Sequence, residues 1–125
     1  MQTLIVPILR SVDMSSMKLY IAVLADNALP TFELKDEDFL GKRLSSIFSY
    51  MIDEQLAENW LNVTEVGIFQ FEEKILRLCY TVMVPAGTKL NSKLKWSDFT
   101  EAMEKCTTNE QTLIFRVMLK GGFTP

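Results

Sequence analysis

The chain contains no histidine. Ser-His-Asp and Cys-His catalysis are thereby excluded within it. Thiols are scarce as well: Cys79 and Cys106 are the only two cysteines. Two cysteines without histidine do not supply the four ligands of a structural zinc. They read as small buried hydrophobes of a reduced cytoplasm, and a disulfide between them stays open. Long apolar runs are missing, so no segment reads as a membrane span. An excess of basic residues is missing too. Lys and Arg total 13 against 16 Asp and Glu, a net charge of −3, which argues against a nucleic-acid partner. The first residues, Met1 to Pro7, lack a basic stretch before their short apolar run. That predicts no signal peptide and a cytoplasmic protein.

Chemistry is left to carboxylates, lysines, tyrosines or a hard cation, and the acidic residues leave a Mg²⁺ or Mn²⁺ site open. The 125 residues, 48% hydrophobic and 23% charged, suit a single soluble domain over 1–125.

The central stretch is Leu29 to Leu56. Leu29-Pro30-Thr31-Phe32 reads as a loop. An acidic run, Glu33 to Asp38, follows, in which Asp36 or Asp38 suits a helix cap. Leu40, Leu44, Ile47, Phe48 and Met51 then form a helical stripe. The helix is expected over 38–56, closing on Asp53 and Glu54. Gly41 weakens its first turn by roughly 1 kcal/mol relative to Ala, which suggests a close contact there.

Before this stretch, Thr3 to Leu9 and Lys18 to Ala25 read as strands. The second is apolar enough to be covered on both faces. Pro7 lacks an N–H, so the first is expected at an edge or bulged. After the helix, 63–71 and 75–84 predict an antiparallel hairpin around Glu72-Glu73-Lys74. Within it Leu76, Leu78, Tyr80, Val82 and Val84 alternate with Arg77, Cys79 and Thr81. Leu90 and Leu94 turn inward from a basic segment. Ser97 is the expected cap of a helix over 98–105. Thr107 and Glu110 form a capping box. It opens a last helix with Leu113, Ile114, Val117 and Met118 on its buried stripe, stopped by Gly121-Gly122.

This order of elements resembles the Nudix fold. Leu29-Pro30 stands where that family has Leu-Pro before its glycine pair. Val66-Gly67-Ile68-Phe69 with Arg77 to Pro85 is similar to its central hairpin, and Lys95-Trp96-Ser97-Asp98-Phe99 to its Trp-containing entry to the last helices. The resemblance covers residues 17–119. It implies an α+β fold, a mixed sheet sandwiched between helices.

The family's box departs from this sequence. It needs a Gly, a Glu and the run Arg-Glu-aliphatic-x-Glu-Glu-x-Gly at fixed spacings. Counted from Phe32, the box Glu falls on Asp38, the Arg-Glu pair on Ser46 and Ile47, and the Glu-Glu pair on Tyr50 and Met51. Shifted by three residues, the Glu-Glu pair falls on Asp53 and Glu54, but the Arg-Glu pair becomes Ser49-Tyr50 and the Gly becomes Leu56. Mg²⁺ held against a pyrophosphate needs several carboxylates on one face. The resemblance therefore implies a binding or interaction module without catalysis. The alternative is a divergent hydrolase of nucleoside-diphosphate-linked substrates, similar to ADP-ribose pyrophosphatases, which would use Mg²⁺ or Mn²⁺.

Asp53 and Glu54 are the candidate metal ligands, each to be weighed against a merely solvated pair. Glu33, Asp36, Glu37 and Asp38 are candidates to complete such a site from the loop. Arg43, Lys89 and Lys93 are the candidate phosphate contacts, with Lys42 and Lys95 beside them. Trp60 and Trp96 are candidates to stack on a base, and Phe32 and Tyr50 to fill the expected pocket. The expected partner is a nucleotide-type ligand or a protein, with no nucleic acid and no membrane. Pro7 at an edge and Phe123 in an apolar tail also suggest a homodimer.

Overall fold

A computed structural model of the chain describes residues 1–53 and 62–120. Six strands and three helices follow one another as β1 (Gln2–Asp13), β2 (Lys18–Leu24), β3 (Phe32–Glu33), α1 (Leu40–Met51), β4 (Thr64–Glu72), β5 (Ile75–Val84), β6 (Leu94–Asp98), α2 (Phe99–Lys105) and α3 (Thr108–Lys120). The sheet order is β4-β5-β1-β2-β6, with β3 also on β1. Only β1 and β5 run parallel, from Gln2↔Ile75 to Ser11↔Val84, so the sheet is mixed. The expected hairpin is β4–β5, bulged between Glu65 and Gly67 and again before Glu72.

Side chains alternate across a strand, and here both faces are covered. On one face Ile5, Leu9, Ala22, Tyr80, Val82 and Val84 pack under α1 through Leu44, Ile47, Phe48 and Met51. On the other, Val6, Ile8, Ile21, Val23 and Cys79 pack under α2 and α3 through Ala102, Leu113, Ile114 and Val117. This is the expected α+β sandwich. Among the described residues no helix is long and apolar enough to cross a membrane. Both cysteines are free, Cys79 buried and Cys106 half-buried.

Several local expectations are corrected. Pro7 lies in a central strand, not an edge strand. Backbone groups turn alternately to the two sides of a strand. The Thr3 carbonyl faces the β3 side, where it accepts from the Leu34 N–H at 2.9 Å. Pro7, four residues on, faces the same way. On that side β3 pairs only Leu4 and Ile5, and β2 begins at Arg10. The missing N–H therefore falls in a gap where no ladder needs it. The edge argument for a homodimer goes with this, and Phe123 lies outside the described residues, as does Gly121-Gly122.

The first helix is shorter than expected. Phe39 is its N-cap, without a side-chain hydrogen bond. Asp38 instead turns its Oδ2 to the Lys35 N–H at 2.9 Å. At the other end Ile52 pairs with Leu90 in an antiparallel bridge, and the Asp53 N–H donates to the Lys89 carbonyl at 2.8 Å. Asn91 takes up two of the helix's last carbonyls: its backbone N–H bonds Met51 O at 2.8 Å and its Nδ2 bonds Tyr50 O at 3.2 Å. Strand-like pairing thus takes over from helical bonding before Asp53. A Cβ at Gly41 meets nothing within 4 Å, so no close contact explains that glycine. The cap of α2 is Asp98, one residue past Ser97. Asp98 Oδ1 accepts from the Thr100 N–H at 2.8 Å, while Ser97 is buried in β6 opposite Ile21.

Candidate functional site

The candidate metal and phosphate residues are spread over both ends of α1. Past its C-terminus, Asp53 and Lys89 form an ion pair at 3.6 Å, both well exposed. Glu54 and Trp60 lie outside the described residues. Lys93 is exposed, and its backbone N–H donates to Asn91 Oδ1 at 2.9 Å. Toward the N-terminus, the Arg43 Nε–H donates to the Glu33 carbonyl at 3.2 Å, and its guanidinium lies 5.9 Å from the Phe32 ring centre. Phe32 in turn meets Tyr50 edge-on at 6.0 Å, and Tyr50 is exposed. Glu37 and Asp38 line a shallow cleft of about 290 Å³ with Phe39, Lys42, Arg43 and Ser46.

The distances between these groups decide what they can hold together. The twelve residues of α1 span about 18 Å at 1.5 Å each. Asp36, Glu37 and Asp38, just before the first turn of α1, therefore stand about a helix length from Asp53. Arg43 is likewise remote from Lys89. Among the described residues no three acidic or cysteine side chains gather where a metal could sit. Trp96 also serves the fold: its Nε1–H donates to the Thr88 carbonyl at 2.9 Å.

A different place combines shape and chemistry. A pocket of about 320 Å³ opens between β1, β5, the 29–31 loop and the start of α3. Val6, Leu29 and Leu113 are its buried apolar wall; Thr31, Glu72, Arg77, Asn109 and Glu110 are its polar groups. Arg43, Lys89 and Lys93 do not line it. Two devices hold it in shape. The first is the capping box: Thr107 Oγ1 accepts from the Glu110 N–H at 3.2 Å, and Glu110 Oε1 accepts from the Thr107 N–H at 3.0 Å. Glu110 Oε2 also accepts from the Leu29 N–H, which ties the loop to the helix across 81 residues of sequence.

The second device is Arg77. Its side chain is only 18% exposed. Nη2 pairs with Glu72 Oε1 at 2.9 Å, and the guanidinium lies 5.9 Å from the Phe71 ring centre. Nη1 is buried, with no acceptor among the described residues. Leaving such a donor unmet costs about 1–3 kcal/mol. Nearby on the same sheet face, Cys79 is fully buried, and burial pushes its thiol up to about 12. It stays protonated and is no nucleophile.

Reading the residues alone missed this pocket. Arg77 was legible as a charge on the Cys79 and Thr81 side of β5, and Glu110 as a capping residue. What neither showed was that this side of the strand is buried under α3, where a charge needs a partner.

Neither a protein-family model nor a curated protein matches the chain in sequence. Solved structures match it in three dimensions. A mutT/nudix family protein from Listeria innocua superposes with TM-score 0.73 at 13% identity, over 94% of this chain and 92% of that one. The NUDIX domain of Shewanella oneidensis NrtR, complexed with ADP ribose, superposes with TM-score 0.69 at 9% identity, over 94% and 86%. A MutT/nudix family protein from Enterococcus faecalis gives TM-score 0.61 at 9% identity over 78% of this chain, which spans only 43% of that protein. These likenesses establish the fold.

Proposed function

We propose that this Nudix-fold chain is a binding module, which takes a nucleotide-type ligand in the pocket under α3 and does not hydrolyse it. One observation carries the reading. The pocket joins an apolar wall to a few fixed polar groups at about 320 Å³, within the range of small-molecule sites. The NUDIX domain that superposes on this chain and was solved with ADP ribose supports a nucleotide-type ligand. The absence of turnover follows from charge. α1 carries no acidic side chain between Leu40 and Met51, and Asp53, exposed beyond its end, stands 3.6 Å from Lys89. Breaking a pyrophosphate needs a cation clamp and an activated water.

The test is a titration of the labelled protein with a nucleoside 5′-monophosphate, with and without Mg²⁺, followed by amide NMR. Shifts are expected at Leu29, Thr31, Arg77 and Asn109, without need of metal. Shifts confined to the surroundings of Asp53 and Lys89, and present only with Mg²⁺, would replace this reading with the divergent hydrolase. No shift up to millimolar ligand would retire the ligand-binding reading.

A further inference from the structure

A second pocket lies on the opposite face of the sheet, at the ends of β1 and β5. It measures about 210 Å³ and is lined by Ser11, Asp13, Tyr20, Ala86, Gly87 and Trp96. Alternation along the strands puts Ser11 and Asp13 on the face of Leu9, and Tyr20 on the face of Ala22, which is the side covered by α1. The β2–β6 ladder sets Tyr20 opposite Asp98 and Ala22 opposite Trp96. The two aromatic side chains are therefore diagonal neighbours on one face, and both are half-buried.

Each wall is held. The Trp96 Nε1–H donates to the Thr88 carbonyl at 2.9 Å, which pins that edge of the indole. The loop that carries Ala86 and Gly87 closes on itself: the Thr88 N–H and Oγ1–H both donate to the Pro85 carbonyl, at 3.2 and 2.7 Å. Gly87 supplies the φ of 84° that this turn takes and that glycine adopts at no steric cost. Asp13 Oδ1 accepts from Ser15 twice, from its N–H at 3.0 Å and its Oγ–H at 2.7 Å. These bonds hold the Asp13 carboxyl below its ordinary range, so it is charged at neutral pH.

No basic side chain lines the pocket. Lys18 stands opposite Asp13 across the turn but is exposed, and Asp13 enters no ion pair among the described residues. A fixed negative charge beside two aromatic rings suits a cation, which a ring face attracts within about 6 Å. A primary ammonium is compact and strongly hydrated, and it brings three N–H groups that need acceptors. Asp13 Oδ1 already accepts two bonds. A fully methylated ammonium needs no acceptor. Asp13 meets its charge, and the rings and Ala86 meet its methyl groups. The volume is below the roughly 300 Å³ at which drug-sized ligands are held, so a head group enters and the rest of its molecule stays outside.

We infer that this pocket is a second binding site, which takes a methylated ammonium head group against Tyr20 and Trp96 with Asp13 as its counter-charge. The inference does not depend on the pocket under α3.

Calorimetric titration of the full chain with choline tests it, and amide NMR locates the site. Two analogues separate the contributions. The neutral carbon analogue of choline has a tert-butyl group in place of the trimethylammonium; ethanolamine keeps the charge and lacks the methyl groups. Choline is expected to shift Asp13, Tyr20, Gly87 and Trp96, and to bind roughly tenfold or more tighter than either analogue. Trimethyllysine with both ends blocked carries the same head group on a peptide stem; whichever of it and choline binds tighter tells whether the head group comes from a peptide or a free small molecule. Asp13→Asn and Tyr20→Leu each weaken choline severalfold, and Lys18→Ala does not weaken it. Circular dichroism checks that each variant folds; if Tyr20→Leu does not, Asp13→Asn decides alone. The neutral analogue binding as tightly as choline overturns the inference. So do a choline affinity that the deciding variants leave unchanged, shifts that gather at Leu29 and Arg77 instead, or no binding at tens of millimolar choline. None of these outcomes touches the nucleotide titration above.

Discussion

The two faces of the sheet use their charges in opposite ways. Around α1, Asp53, Lys89, Lys93, Lys42 and Glu37 stand at the surface, where water screens them and no geometry is enforced. Under α3, Arg77 and Glu110 are partly buried, and each is tied to backbone or to a partner. Low local dielectric makes such groups expensive to misplace. Charge at the surface therefore says little about function, and charge fixed beneath a helix says more. The difference has measurable consequences.

The largest separates the packing of the two regions. Leu113 is 2% exposed and walls the pocket, so Leu113→Ala removes both transfer energy and packing. It is expected to cost about 2–5 kcal/mol in urea denaturation, with nucleotide binding lost alongside. A cost below about 1 kcal/mol would show that the wall is not a packed element.

Next comes the tie between loop and helix. Glu110→Ala removes the box and leaves the Leu29 N–H without its acceptor, at a cost of about 1–2 kcal/mol. Hydrogen exchange at Leu29 should accelerate more than exchange in β2. Unchanged exchange at Leu29 would separate the loop from the helix and weaken the pocket as a built site.

On the α1 side the effects shrink and one reverses sign. Gly41→Ala should stabilise the protein by about 1 kcal/mol, because the position is helical and a methyl there meets nothing within 4 Å. A loss of stability would mean that the first turn is not as open as described. Smallest of all is Lys89→Ala, which breaks an exposed ion pair at 3.6 Å and should move stability by less than about 0.5 kcal/mol. A loss of several kcal/mol would give that pair the standing assigned here to Arg77.

What was legible in the residues follows the range over which each feature is decided. The β4–β5 hairpin, the Thr107–Glu110 box and the α3 stripe of Leu113, Ile114 and Val117 are set by neighbours a few positions apart and appear as expected, while Met118 is only half-buried. Pro7 misled because its N–H is harmless only through the spacing of β3 and β2 along β1, and two distant segments set that spacing. Asp53 misled because the Lys89–Asn91 segment, far off in sequence, ends the helix early. The pocket was hidden for the same reason. Its wall and rim come from β1, the 29–31 loop, the β4–β5 turn region and α3, and no local pattern announces that they meet.

The central claim is that this Nudix-fold chain binds without hydrolysing. Turnover decides it most directly. ADP-ribose, diadenosine polyphosphates and oxidised nucleoside triphosphates are incubated with the protein, with and without Mg²⁺ or Mn²⁺, beside the Asp53→Asn/Glu54→Gln variant. The account predicts release no faster than in buffer, the same for both proteins and indifferent to metal. Metal-dependent turnover that disappears in the double variant would contradict it, and would make the end of α1 the working site.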